Sequence, residues 1–149
     1  MKLNFEGERC GQSTAAHTMS SADPMGRVFA GLSVLVVDDI PDNQMLVAWI
    51  MESLGGHVVC AGNGEEAIRC ATDQKFDLII MDLQMPVCSG FQATAALRAL
   101  GFDRPILAIS AGALQEVADK AFAVGCDEFL VKPYELSALT GAVRRLAGR

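Results

Sequence analysis

From residue 31 onward, the chain alternates between short apolar runs and longer stretches in which apolar residues recur every three or four positions. Apolar residues at successive positions, as in 34–37 and 78–81, are typical of parallel strands covered on both faces. Apolar residues at three- and four-residue steps indicate amphipathic helices. These patterns predict strands at 33–37, 58–61, 77–81, 105–109 and 128–131, and helices at 43–54, 65–72, 91–100, 114–124 and 135–146.

The order of these predicted elements indicates the fold class. Five strands that alternate with five helices predict a doubly wound α/β fold, in which ligands bind beyond the carboxyl ends of the strands. Gly55, Gly101 and Gly125 each follow a predicted helix, where a left-handed C-terminal cap favours glycine. The apolar stripe of the first predicted helix, which we expect to face the core, consists of Met45, Leu46, Trp49, Ile50 and Leu54.

Residues 1–30 differ in composition and periodicity from the rest of the chain. They are rich in small and polar residues and show neither a helical nor a strand period. Three basic residues balance three acidic ones in this stretch, so the whole formal net charge of −6 lies in residues 31–149. We therefore expect residues 1–30 to be a flexible leader or linker and residues 31–149 to be one folded domain.

Composition excludes several classes of function. A hydrophobic fraction of 51% in 149 residues suits a globular domain that folds without a disulfide or metal. The acidic balance argues against broad nucleic-acid binding, and no stretch approaches the roughly 20 apolar residues of a membrane span. The five cysteines include no CxxC pair, and residues 1–30 lack the apolar core of a secretory signal, which favours a cytoplasmic location. The two histidines lack partners at zinc-ligand spacing.

Polar side chains follow four of the predicted strands. Asp38 and Asp39 follow the first strand, and Asp82 follows the third. Ser110 follows the fourth strand and Lys132 the fifth. Because the carboxyl ends of parallel strands meet at one edge of the sheet, we expect three carboxylates, a hydroxyl and an ammonium group to lie together. Carboxylates about 4 Å apart repel by roughly 4 kcal/mol near a protein surface, so raised pKa values, the lysine or a hard cation must compensate.

A divalent cation compensates such a cluster best. Carboxylate and carbonyl oxygens suit Mg²⁺, which often bridges protein carboxylates to phosphoryl oxygens. A carboxylate beside the ion can attack phosphorus and form an acyl phosphate, while the lysine and the hydroxyl orient the equatorial oxygens. The cluster therefore indicates phosphoryl transfer to an aspartate, and the residues alone leave open which aspartate accepts the group.

Four segments resemble, in order and spacing, the CheY-like receiver domain of two-component response regulators. They are VLVVDD at 34–39, MDLQMP at 81–86 with Gly90, Ser110-Ala111, and FLVKP at 129–133. The resemblance covers residues 32–146 and is nearest in style to the receivers of hybrid sensor histidine kinases. It implies a flavodoxin-like, five-stranded parallel sheet of order 2-1-3-4-5 with five helices. It also implies a signalling phosphoacceptor domain that catalyses only its own phosphorylation and dephosphorylation.

The resemblance implies a role for each matched residue of the site. Asp82 is expected to accept the phosphoryl group from a phosphohistidine on a sensor histidine kinase or a histidine phosphotransfer protein. Lys132 is expected to pair with Asp82 or with its phosphoryl group. The expected protein ligands of Mg²⁺ are Asp39, Asp82, the backbone carbonyl of Gln84 and, through water, Asp38.

Further expectations concern the switch and the lifetime of the phosphoryl group. Ser110 is expected to move toward the phosphoryl group, and Phe129 to turn inward as the hydroxyl leaves, although its apolar neighbours suit a core position equally well. The Lys132–Pro133 peptide is expected to be cis. Because Gly112 offers no side chain over the site, Gln84 is the candidate to position or block attacking water.

Alternative functions are open at this point. A small phosphatase or phosphotransferase that uses Asp82 on metabolites would need a second aspartate two residues further on and a cap over its substrate. A flavodoxin-like nucleotide binder would need a phosphate loop where Asp38 and Asp39 stand. A receiver-like interaction module that is never phosphorylated would not need the complete residue set. Within the leading interpretation, the chain is either a single-domain regulator or the receiver of a hybrid kinase, with an unidentified output partner.

Overall fold

The computed structural model describes residues 27–85, 88–112 and 114–148, together with two short paired strands at Asn4–Phe5 and Gly7–Glu8. Within the longer ranges, five strands and five helices alternate along the chain. The strands are β1 Ser33–Val37, β2 His57–Ala61, β3 Leu78–Asp82, β4 Ile106–Ser110 and β5 Glu128–Val131. The helices are α1 Pro41–Ser53, α2 Gly64–Asp73, α3 Gly90–Ala99, α4 Gln115–Val124 and α5 Leu136–Ala147.

The five strands form one parallel sheet in the order β2-β1-β3-β4-β5, which confirms the predicted order. The chain runs outward from β1 to β2 and then crosses back to β3, so the order reverses between β1 and β3. Val37 pairs with Met81, and Asp82 pairs with Ile109, so β1, β3 and β4 end at the same edge. A crevice at this reversal is where doubly wound folds bind ligands.

Apolar side chains cover both faces of the sheet. Ile79 belongs to a buried cluster with side chains of α2, α3 and α4, whereas Ile80 belongs to a second cluster with side chains of α1 and α5. Successive strand residues point to opposite faces, so a strand covered on both sides needs an unbroken apolar run. This arrangement explains why the strands could be predicted from continuous apolar stretches.

Strands β1 and β5 have the predicted bounds, and the ends of the other elements differ from the prediction by at most two residues. Helix α1 begins at Pro41, because proline suits the first turn of a helix, where its missing N–H has no acceptor to lose. Gly55, Gly101 and Gly125 have φ angles of 100°, 97° and 117°, as expected of left-handed caps. No helix in the described part of the chain is long and apolar enough to cross a membrane.

The packed part of the chain includes residues just ahead of residue 31, where the predicted domain begins. The Phe29 side chain is fully buried, and its backbone N–H donates to the Leu54 carbonyl oxygen at 2.8 Å. An apolar residue just ahead of the first strand anchors the entering chain to the end of α1. Apart from the two short strands, residues 1–26 of the predicted leader lie outside the described residues.

The buried face of α1 keeps Ile50 and Leu54 of the predicted stripe and leaves its other three members outside. Met45, Leu46 and Trp49 are 68%, 54% and 67% exposed. The buried residues of this helix are Val47, Ile50 and Met51. Apolar residues lie all round α1, so the sequence offers two possible stripes and the periodicity does not choose between them. The helix therefore presents apolar side chains outward, beside the carboxyl edge of the sheet.

Candidate functional site

Three aspartates meet at the carboxyl edge of the sheet. Asp38 and Asp39 follow β1, and Asp82 is the last residue of β3. One carboxylate oxygen from each residue lies within 4.8 Å of the other two. Asp38 and Asp82 are only 7% and 4% exposed, whereas Asp39 is more open to solvent. The structure thus brings together the three carboxylates that the sequence placed at this edge.

Lys132 carries positive charge into this cluster. Its Nζ lies 3.7 Å from Oδ2 of Asp38 and 3.7 Å from Oδ2 of Asp82. The lysine reaches this position because β5 ends beside β4, where the Lys132 N–H donates to the Ser110 carbonyl oxygen at 2.8 Å. The peptide from Lys132 to Pro133 is cis, as predicted. One ammonium group therefore contacts two of the three clustered carboxylates.

The environment of Asp82 disfavours its charged form. Burial is the largest cause and raises the pKa of Asp82 from 3.8 to about 6, with further upward contributions from Asp38 and Asp39. The Gln84 N–H, which donates to Oδ1 of Asp82 at 3.1 Å, and the Lys132 ammonium lower this pKa but do not offset burial. The cluster therefore holds more negative charge than its own residues balance.

The donor set of this cluster fits a hard divalent cation. All three convergent side chains offer oxygen, which Mg²⁺ prefers, and none offers nitrogen or sulfur. A cation at these oxygens would offset the burial and the neighbouring negative charges that raise the pKa of Asp82. Gln84, whose carbonyl is the other expected ligand, follows Asp82 by two residues and holds its carboxylate through the backbone N–H.

Gln44 supports the acid pair and was not found by sequence reasoning. Its Nε2 donates to the carbonyl oxygen of Asp38 at 2.6 Å and to that of Ala61 at 3.0 Å. A side chain from the first turn of α1 thereby joins the ends of β1 and β2. The N–H of Ile40 also donates to Oδ1 of Asp38 at 2.9 Å, which orients that carboxylate. The sequence signal for this contact was a polar residue in the first turn of the helix that follows the acid pair.

The loop after β4 borders the site. Ser110 is fully buried, and its Oγ accepts a hydrogen bond from the Gly112 N–H at 3.0 Å. The side-chain oxygen of Gln84 accepts a hydrogen bond from the Ala111 N–H, also at 3.0 Å. Phe129 is partly buried and packs against the cluster on the α2, α3 and α4 side of the sheet. Gln84 thus contacts both Asp82 and the loop after β4, while Phe129 makes core contacts.

Gly90 is required by a close approach to the end of β3. A β-carbon at this position would collide with the Asp82 carbonyl oxygen and would lie 2.7 Å from Cα of Leu83. The Gly90 N–H also donates to the Leu83 carbonyl oxygen at 3.2 Å. The start of α3 is therefore fixed against the backbone of Asp82. Pro86, which belongs to the same motif, lies outside the described residues.

Comparisons with known sequences agree with this geometry. The model of the response regulator receiver domain matches residues 34–144. The sensor protein GacS of Pseudomonas syringae pv. syringae is 37% identical over 120 residues, which cover 77% of this chain and 13% of GacS. The transcriptional regulatory protein PrrA of Mycobacterium tuberculosis is 36% identical over 116 residues, which cover 78% of this chain and 50% of PrrA. The chain thus spans half or less of these relatives.

Solved structures show the same fold. The receiver domain of sensor histidine kinase PA1611 from Pseudomonas aeruginosa PAO1, with a magnesium ion in its active site cleft, has a TM-score of 0.74 and 34% identity. The match covers 80% of this chain and 100% of that one. A chain in the co-crystal of the Saccharomyces cerevisiae histidine phosphotransfer protein Ypd1 with the Ssk1 receiver domain has a TM-score of 0.74 and 29% identity, over 78% and 89% of the two chains. This chain therefore belongs to the response regulator receiver domains, the signalling domains of two-component systems.

Proposed function

We propose that this receiver domain accepts a phosphoryl group on Asp82 in a phosphorelay, in a reaction that depends on Mg²⁺. The observation that carries the proposal is the convergence of Asp38, Asp39 and Asp82 on one another, with Lys132 beside them. Asp82 is the best acceptor because it ends the strand between the acid pair on β1 and the loop after β4. The magnesium ion in the PA1611 receiver supports the same metal here.

The transfer step uses the chain's own groups. A carboxylate oxygen of Asp82 forms a bond to phosphorus, and the bond between phosphorus and the donor's histidine nitrogen breaks. The electron pair stays on that nitrogen, and the imidazole, protonated on its other nitrogen, leaves neutral. The Lys132 ammonium and the Ser110 hydroxyl then hold phosphoryl oxygens. The same groups serve a small donor such as acetyl phosphate, so the domain catalyses its own phosphorylation.

Four oxygen donors of the cluster would hold the cation. They are the carboxylates of Asp39 and Asp82, the backbone carbonyl of Gln84 and, through water, Asp38. When bound, Mg²⁺ neutralises charge between the carboxylates and the phosphoryl oxygens. We further propose that the Gln84 side chain controls the access of attacking water. Replacement of Gln84 by Ala should therefore change the dephosphorylation rate, and an unchanged rate would contradict that role.

Phosphorylation would act as a switch through Ser110. The new group adds about −1.5 to −2 charge at Asp82 and draws the buried hydroxyl of Ser110 away from the Gly112 N–H. Phe129, which is partly buried on β5, would turn into the space that the hydroxyl leaves. The charge thus shifts an equilibrium between two arrangements of β4, α4 and β5, and a partner reads the resulting face.

The phosphodonor would dock on the outer surface of α1. We define the α1 patch as Ile40, Met45, Leu46 and Trp49, which are 48%, 68%, 54% and 67% exposed. The patch begins directly after Asp39, so a partner that brings a phosphohistidine to Asp82 must cover its near end. We therefore propose that a helix of a sensor histidine kinase or histidine phosphotransfer protein packs on this patch. The Ypd1–Ssk1 complex supports a partner of this class.

The proposal also covers the cellular location of the domain and the role of the residues that precede it. Cysteines without regular spacing suit a reducing compartment. We therefore place the domain in the cytoplasm. We also propose that the residues ahead of the folded domain are a leader or linker, because their composition lacks a helical or strand period.

Intact-mass analysis after incubation with acetyl phosphate tests the function. We expect a gain of about 80 Da, one phosphoryl group, that depends on Mg²⁺ and is stable in acid but labile in base, as an acyl phosphate is. The gain should be absent in Asp82→Asn and kept in Asp103→Asn, which changes an exposed aspartate. A gain that persists in Asp82→Asn contradicts the proposal. No gain, together with no binding of fluoroberyllate, would favour a module that is never phosphorylated.

A further inference from the structure

We propose that Gln84 is a positioning residue that latches the loop after β4 in the resting state, so that phosphorylation of Asp82 must release it. The latch is the hydrogen bond from the Ala111 N–H to the side-chain oxygen of Gln84, 3.0 Å long. The proposal rests on Asp82 as the phosphoacceptor and deepens that function, because it names how the site regulates its own switch.

Gln84 makes two hydrogen bonds in two directions. Its backbone N–H donates to Oδ1 of Asp82 at 3.1 Å, and its side-chain oxygen accepts from Ala111. One residue therefore joins the phosphoacceptor carboxylate to the loop that leads into α4. The space over Gly112 is open to this side chain, since even a β-carbon on Gly112 would lie 3.7 Å from Nε2 of Gln84.

The latch opposes the movement that switching requires. The Ser110 hydroxyl accepts the Gly112 N–H at 3.0 Å in this structure, so it must give up that bond when it turns to a phosphoryl group. Loss of this acceptor frees the Gly112 N–H and lets the loop shift, whereas the bond from Ala111 to Gln84 holds the preceding residue in place. The latch therefore favours the resting arrangement by the strength of one exposed hydrogen bond.

Phosphorylation weakens the other bond of Gln84. When Asp82 becomes an acyl phosphate, its carboxylate loses the charge that assisted the hydrogen bond from the Gln84 N–H. Gln84 is then less firmly held beside Asp82, and its side chain can part from Ala111. A typical hydrogen bond contributes enough stability to shift such an equilibrium about fivefold. We infer that Gln84 sets how readily the loop responds to the phosphoryl group.

Hydrogen exchange of the Ala111 amide tests the latch in the free protein. Gln84→Met keeps the length of the side chain but removes the acceptor, and we expect Ala111 exchange to become about fivefold faster. Gln84→Glu keeps an oxygen acceptor and should restore slow exchange. Gln74→Met, which changes an exposed glutamine remote from the site, should leave Ala111 unchanged. Equal Ala111 exchange in the wild type and in Gln84→Met overturns the proposal.

Titration with fluoroberyllate and Mg²⁺ tests the release. Fluoroberyllate occupies the place of a phosphoryl group on a carboxylate without turnover. Its binding free energy therefore includes the cost of moving the loop. We expect Gln84→Met to bind it about fivefold more tightly than the wild type, and Gln74→Met to bind it equally. Equal or weaker binding by Gln84→Met overturns the latch. Failure of the wild type to bind overturns the phosphoacceptor function instead, and Ala111 exchange alone then decides the latch.

Discussion

Asp82 gains a proton more easily in the folded protein than in the unfolded chain. Burial, with help from the neighbouring carboxylates, raises its pKa from 3.8 to about 6. The native state therefore binds more protons than the unfolded state between these pH values, so the stability due to Asp82 falls as the pH rises from about 4 to about 6. Each pKa unit corresponds to 1.36 kcal/mol, so an ionised Asp82 destabilises the fold by up to about 3 kcal/mol above pH 6.

We therefore expect Asp82→Asn to be more stable than the wild type in Mg²⁺-free buffer at pH 7.5, by about 1 to 3 kcal/mol. The difference should shrink toward pH 4.5, because the wild-type carboxyl is protonated there. Urea unfolding at both pH values measures it, with Asp103→Asn as the exposed control. The same gain at the two pH values would contradict this electrostatic account.

Gly90 offers a steric prediction next to the same carboxylate. We expect Gly90→Ala to destabilise the fold by about 1 to 3 kcal/mol, because the new methyl group meets the backbone of Asp82 and Leu83, which cannot turn away as a side chain can. Phosphoryl uptake from acetyl phosphate should fall as well, since the Asp82 backbone must shift. Thermal unfolding and intact mass measure the two effects.

Gly141→Ala is the matched control for this substitution. Gly141 lies within α5, and its added β-carbon would meet only Arg145 Nη1, at an ordinary 3.6 Å. Alanine favours a helix over glycine by about 1 kcal/mol, so this variant should be as stable as the wild type or more stable. If Gly90→Ala behaved in the same way, the close approach at Gly90 would not constrain the site.

The composition of the site could be predicted from the sequence, and its hydrogen bonds could not. Asp82, Ser110 and Lys132 adjoin the ends of apolar runs, and parallel strands bring those ends to one edge. The contacts of Gln44 and the latch of Gln84 depend on where long side chains turn after the backbone has folded. The spacing of residues along the sequence does not predict the directions of those side chains.

At the scale of elements, the strands were easier to predict than the faces of the helices. A strand covered on both sides leaves a continuous apolar run, whatever lies next to it. Helix α1 carries apolar residues all round, so its buried face is decided by how it packs on the sheet. Its exposed Trp49 and its buried Ile50 are adjacent in sequence, and only the packing separates them.

The exposed side of α1 yields a prediction about phosphotransfer. Trp49→Ala should change the free energy of unfolding by less than about 0.5 kcal/mol, because its side chain is 67% exposed. A large aromatic side chain in an interface contributes strongly to binding, so transfer from a phosphorylated histidine phosphotransfer protein should slow about tenfold relative to loading from acetyl phosphate. Time courses of phosphotransfer from the two donors measure this ratio.

Phe122→Ala is the control for the α1 patch. Phe122 lies on α4 and is 48% exposed, so its removal also deletes an exposed aromatic ring but leaves α1 intact. The ratio of the two loading rates should stay at the wild-type value. An equal slowing in both variants, or none in Trp49→Ala, would place the phosphodonor elsewhere on the domain.

At the scale of the whole molecule, we expect a metal ion bound at the three carboxylates to stabilise the fold. A ligand that binds only the native state stabilises it by about 2.7 kcal/mol at a hundredfold excess over its Kd. We therefore expect saturating Mg²⁺ to raise the Tm of the wild type by several degrees, and Asp39→Asn to lose this response. Scanning calorimetry at constant ionic strength, adjusted with NaCl, measures the shift. An undiminished response in Asp39→Asn would contradict the assignment of this ligand.

The fold could be predicted from the alternation of strands and helices. The change between the resting and the phosphorylated arrangements could not. The order of the strands brings Asp39, Asp82 and Lys132 together although they lie far apart along the chain. The proposed inward turn of Phe129 would belong to a second arrangement of the same sequence, and both arrangements would share one pattern of apolar residues. Packing in the phosphorylated state, rather than periodicity, decides whether Phe129 turns inward.

The most direct test of the central claim is to locate the phosphoryl group. Borohydride reduces the acyl phosphate of an aspartate to homoserine, so the domain is loaded with acetyl phosphate and Mg²⁺, reduced and mapped by peptide mass spectrometry. The account predicts homoserine at position 82 and unmodified aspartate at positions 38 and 39. Homoserine at position 38 or 39, or modification outside the cluster, would contradict it.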